Sequence, residues 1–69
     1  MRHEKIIKDS RGTVRIVIYF ETTYGNIRWT INVWHKAPKK RSEVWSDNIA
    51  TPSEILEAKL ELWEKIKPC

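Results

Sequence analysis

Residues 14–36 read VRIVIYFETTYGNIRWTINVWHK, and this stretch decides the fold. From Val14 to Glu21 the apolar series Val14, Ile16, Ile18 and Phe20 alternates with Arg15, Val17, Tyr19 and Glu21. Period-two alternation rich in β-branched residues predicts a strand over 14–21. The alternation resumes at 27–36, with Ile27, Trp29, Ile31 and Val33 on one side and Arg28, Thr30, Asn32, Trp34 and Lys36 on the other. Between the runs lies Thr22–Asn26, where Gly25 can supply a positive φ. Two alternating runs this close predict an antiparallel hairpin.

Working outward, Ala37–Lys40 is a basic, proline-containing turn, and 41–46 reads as a short third strand with Val44 inward and Trp45 outward. Thr51-Pro52-Ser53-Glu54 then announces a helix over 52–66. The Thr51 hydroxyl can accept from the Glu54 amide while Glu54 reaches back, and Pro52 suits the first helical position. Ile55, Leu56, Leu62, Trp63 and Ile66 share one helical face, with Lys59 intruding on it by its stem. Glu57, Glu61 and Glu64 are expected on the solvent side, Glu61 pairing with Lys65. Pro68 is expected to stop the helix. Residues 1–10, polar around the pair Ile6-Ile7, are expected to fray or to form a short leading strand.

The fold class that follows is α+β, a three-stranded antiparallel β-sheet packed against one C-terminal α-helix, as a single domain over 1–69. An amphipathic helix and a two-faced sheet must cover each other. The covered face is expected to hold Ile16, Ile18, Phe20, Trp29, Ile31, Val33 and Val44, with Trp29 and Trp63 in the core. The other face is left to solvent or to a partner.

Composition narrows the function. The 69 residues are 41% hydrophobic and 32% charged, ordinary for a small globular domain. Beginning at Met1 without a tag, the chain reads as a complete product. The longest apolar run, 16–20, is too short to cross a membrane. Cys69 is the lone thiol and the last residue, which excludes a disulfide scaffold and a cysteine zinc site and makes a reducing cytoplasm the expected setting. There is no glycine-rich phosphate loop or nucleophile motif, and His3 and His35 have no partner motif, so neither catalysis, a metal nor a cofactor is expected. The net charge of +4 is uneven: residues 1–47 carry +5 and residues 48–69 carry −1. A positive sheet half makes a polyanion a candidate partner.

The open face would display Arg15, Tyr19, Arg28, Thr30, Asn32, Trp34, Lys36 and Trp45. Arg15, Arg28 and Lys36 suit phosphates or guanine edges. Asn32 suits a base edge, and Thr30 shares its face. Trp34 and Trp45 suit sugars or methyl groups, and Lys39, Lys40 and Arg41 add backbone contacts. The leading expectation is a small nucleic-acid-binding protein for double-stranded DNA. The alternative is a protein-interaction module, either a homodimer or a phage-type inhibitor of a host protein, using the apolar part of the same face, Val17, Tyr19, Trp34 and Trp45.

Over about residues 28–60 the chain resembles the plant ethylene-response-factor DNA-binding domain, and it is similar to the arm-type DNA-binding domain of phage tyrosine integrases. In the plant family a strand of type K-W-x-A-E-I-R precedes a basic turn and then V-W-L-G-T-F-D-T-A-E-E-A. Arg28-Trp29, Val33-Trp34, Val44-Trp45 and the offset of Thr51 and Glu54 from Trp45 carry the likeness. Ser46-Asp47 replaces the Leu-Gly step, and Glu43 stands where the family has a basic residue. The resemblance implies a three-stranded sheet on one helix that binds DNA through the sheet, with Arg28, Asn32, Trp34 and Trp45 on the DNA side. The chain also has the general look of a small phage or prophage accessory protein.

Overall fold

In the computed structural model, which describes residues 1–66, the chain forms four antiparallel strands and one helix. Strands β2 (Gly12–Thr23) and β3 (Asn26–Lys36) make the expected hairpin, longer than the alternation alone suggested. Tyr24 (φ 51°) and Gly25 (φ 81°) form its two-residue turn between the partners Thr23 and Asn26. Two successive positive φ values give the twist that a tight hairpin requires.

The first ten residues depart from expectation. They neither fray nor form a short piece: β1 (Arg2–Asp9) pairs with β2 along its whole length, from Arg2 opposite Tyr19 to Asp9 opposite Gly12. Its connection to β2 depends on Gly12 (φ +102°), where a Cβ would fall 2.2 Å from the Lys36 carbonyl oxygen. The third strand expected over 41–46 contracts to β4 (Val44–Trp45), paired with His35 and Trp34 of β3. A turn at Pro38-Lys39, with Lys39 at φ 66°, takes the preceding chain out of the ladder. The sheet therefore has four strands in the order β1-β2-β3-β4, three of them long.

Helix α1 (Pro52–Ile66) begins as its sequence announces. The Glu54 amide donates to Thr51 Oγ1 at 3.2 Å, and the Thr51 amide donates to Glu54 Oε1 at 2.9 Å. The helix packs on β1 and β2, and on the same side of β3 Val33 is buried while Ile27, nearer the hairpin tip, is exposed. Val14, Ile16, Ile18, Val33, Ala50, Ala58 and Leu62 form the buried core, flanked by Ile7, Phe20, Trp29, Ile31, Ile49, Ile55 and Ile66. Phe20 and Trp29, opposite each other in the ladder, meet edge to face with centroids 4.9 Å apart.

Two expectations about the helix need correcting. Trp63 is 43% exposed and Leu56 is also exposed, whereas Ala58 is fully buried. The cause is electrostatic as well as steric. Lys5 Nζ donates to Glu61 Oε2 at 2.6 Å, and His3 Nε2 bonds Glu61 Oε1 at 2.9 Å. Glu61 is therefore turned toward β1 rather than to solvent, and Lys65 meets His3 Nδ1 at 3.0 Å instead of Glu61. With Glu54 and Glu61 committed to the β1 side, the small Ala58 faces the sheet and Trp63 is carried outward. Pro68 lies outside the described residues, as does Cys69.

Candidate nucleic-acid interface

The face away from α1 is built from the alternate residues of each strand. Cross-strand partners place Ile6, Arg15, Trp34 and Trp45 in one row. Lys8, Thr13 and Lys36 form the next row toward the β1–β2 turn; Glu4, Val17 and Asn32 lie on the other side, followed by Arg2, Tyr19 and Thr30. Arg28 sits opposite Glu21 near the hairpin tip.

Arg15 is the best-held cation of this face. Its Nη1 donates to Glu4 Oε1 at 2.7 Å, while Nε and Nη2 donate to Glu43 at 3.0 and 3.2 Å. Its guanidinium carbon lies 5.8 Å from the centroid of Trp34, within the range of a cation–π contact. The two carboxylates push the Arg15 pKa up, and Arg15 pushes that of Glu4 down. This arrangement matches the charge of Arg15 inside the protein and braces Trp34, which is half-buried. Val17, expected to be part of an exposed apolar patch, is 2% exposed among its neighbours. Trp45 stands out at 64% exposure.

The remaining basic residues are differently placed. Lys36 is exposed on the open face in the same row as Lys8. Lys39, Lys40 and Arg41 are exposed in the β3–β4 connection. That connection curls toward the helix side, where Lys40, Arg41 and Ser42 line a pocket with His35, Ala37 and Val44. Among the described residues Lys8, Lys36, Lys39, Lys40 and Arg41 make no ion pair, unlike Arg2, Lys5, Arg11 and Arg15. One end of the molecule thus carries unmatched positive charge on both sides of the sheet edge.

Of the expected site residues, Arg15, Trp34, Lys36, Lys39, Lys40, Arg41 and Trp45 come together at this end. Asn32 lies beside them, half-buried. Thr30 and Arg28 are exposed but lie toward the far tip, Arg28 about 27 Å from Lys36 at the usual rise of a strand. Sequence reasoning missed Lys8, Ile6, Glu4 and Glu43. The first three belong to β1, whose inward residues His3, Lys5 and Ile7 include two polar ones. An alternation of polar with polar leaves no legible hydrophobic period, so only the pairing with β2 reveals the face. No group of three or more His, Cys, Asp or Glu among the described residues could hold a metal ion.

Comparison with protein-family models, with curated proteins and with solved structures finds no match to this chain.

Proposed function

We propose that the protein binds nucleic acid, with duplex DNA as the leading ligand, through the end of the sheet centred on Trp45. The observation that carries this reading is that five cations of one end make no ion pair among the described residues: Lys8 and Lys36 in the open-face row next to that of the exposed Trp45, and Lys39, Lys40 and Arg41 in the β3–β4 connection. These five neutralise phosphates, and Trp45 packs on a sugar or a base. Arg15 holds Trp34 and Glu43 in place rather than contacting the ligand. Arg28, with Thr30, offers a further contact along the same face, and Asn32 offers an amide to a base edge. The reading is of a binding protein and not an enzyme.

The test is a titration of tryptophan fluorescence with duplex and with single-stranded DNA at two salt concentrations. Quenching by duplex that weakens steeply as salt rises supports the reading. Quenching by single strands alone retains the nucleic acid and replaces the duplex. Binding to neither at low salt overturns the reading. A protein partner on this same face is the second reading, favoured by Ile6 and Trp45, both well exposed in one row.

A further inference from the structure

The edge of β3 is left free between the hairpin tip and β4. Strand β4 pairs only with Trp34 and His35, and the Ser46 amide takes the Val33 carbonyl at 3.0 Å. Among the described residues, β3 from Asn26 to Asn32 therefore has β2 on one side and no strand on the other. Because the Val33 carbonyl points to this edge, the alternation of an antiparallel strand turns the N–H and C=O of Ile31, Trp29 and Ile27 the same way. An unpaired row of backbone groups is a template for another strand.

The sequence of that edge is Asn26-Ile27-Arg28-Trp29-Thr30-Ile31-Asn32. It is nearly a palindrome about Trp29, with Arg28 and Thr30 the one unequal pair. We infer that a second copy of this chain occupies the edge, its β3 antiparallel to the first and the two-fold axis passing through Trp29. This register sets Trp29 against Trp29, Ile27 against Ile31 and Asn26 against Asn32 of the partner. Arg28 then faces Thr30 of the partner, so no like charges oppose each other. The outward N–H and C=O groups of Ile27, Trp29 and Ile31 are all paired.

Three further observations favour a second copy. The opposite edge of the sheet, β1, carries Arg2, Glu4, Lys5, Lys8 and Asp9, the kind of charge that guards an edge. The free edge of β3 carries only Arg28. Ile27, at the seam, is 56% exposed, and Trp29 and Ile31 are half-buried at the margin of the core. Trp63 stands half a turn round α1 from Glu54, on the flank away from the Glu61–Lys5 contact with β1, and is 43% exposed. A two-fold axis perpendicular to the sheet puts both helices on one side and both open faces on the other. The dimer thereby joins the two faces rather than blocking either, and it stands whether or not those faces bind nucleic acid.

Sedimentation of the full chain without nucleic acid is the first test, from micromolar to millimolar concentration. A monomer–dimer equilibrium is expected; a monomer throughout overturns the inference. Ile27→Lys, at a side chain already exposed in the single copy, should give a monomer with an unchanged far-ultraviolet spectrum. A dimer that survives the substitution overturns the proposed seam. The register is tested by cross-linking with Cys69 replaced by Ser. Arg28 and Thr30 of the partner form a non-hydrogen-bonded pair with Cα atoms about 4.5 Å apart, within disulfide reach. The Arg28→Cys/Thr30→Cys variant should therefore oxidise to a covalent dimer. Arg28→Cys alone should not, since the two copies of residue 28 stand about 8 Å apart by strand geometry. Cross-linking by the single variant, or none by the double, overturns this register.

Discussion

Arg11 Nη2 donates to Glu54 Oε2 at 2.6 Å, and Nη1 of the same guanidinium donates to Glu54 Oε1 and to the Ile49 carbonyl at 2.8 Å. This contact ties the β1–β2 turn to the first turn of α1. Asp9 completes it, accepting from the Arg11 side chain at 2.6 Å and from its amide at 2.9 Å. His35 Nε2 adds the Arg11 carbonyl at 2.6 Å. One arginine thus joins β1, β3, the chain before the helix and the helix cap.

The pair sets an acid limit. Arg11 first, then the Thr51 amide, draws the Glu54 pKa from its ordinary 4.5 to about 2. A carboxylate whose pKa is depressed by folding contributes stability above its unfolded value and loses it as the pH falls toward the folded one. Thermal unfolding should show the midpoint of wild type dropping between about pH 5 and pH 2. Glu54→Gln should cost about 1–2 kcal/mol at neutral pH, through the loss of half the cap and of the ion pair. Its pH dependence in that window should be correspondingly flatter.

The two glycines should behave differently on replacement by alanine. At Gly12 the new Cβ would meet the Lys36 carbonyl oxygen at 2.2 Å, in a segment already at φ +102°. At Gly25 no atom of the described residues lies within 4 Å of the new Cβ, so only the positive φ of 81° is at stake. Chemical denaturation should give about 1–2 kcal/mol for Gly25→Ala and a larger loss for Gly12→Ala.

Helix truncations should follow burial rather than side-chain size. Leu62 is fully buried, and Leu62→Ala should cost about 2–5 kcal/mol. Trp63→Ala, at a larger but partly exposed side chain, should cost less than Leu62→Ala in the same denaturation experiment.

For the proposed interface, salt dependence separates the roles of individual residues. Lys36→Ala should weaken duplex binding and make the slope of log affinity against log salt shallower by about 1. Trp45→Ala should weaken binding with little change of slope, because it removes a packing contact and no charge. Equal slopes for wild type and Lys36→Ala would remove Lys36 from the phosphate contacts.

Local chemistry determined the hairpin and the helix. The alternation over 14–21 and 27–36, the glycine at the turn and the Thr51–Glu54 box act between residues close in the chain, so their outcome could be read from residue types alone. The expected open face at Arg15, Trp34, Lys36 and Trp45 followed from the same alternation. Tertiary structure alone decided that residues 2–9 are a full strand, that the helix turns Trp63 outward, and that Arg15 is matched by Glu4 and Glu43. Lys5 and Glu61 stand 56 positions apart, and Arg15 and Glu43 stand 28 apart. Such pairings arise only once the backbone has brought distant segments together. The hydrophobic period carries no trace of them, because a buried aliphatic stem ending in an ion pair looks, in sequence, like a solvated charge.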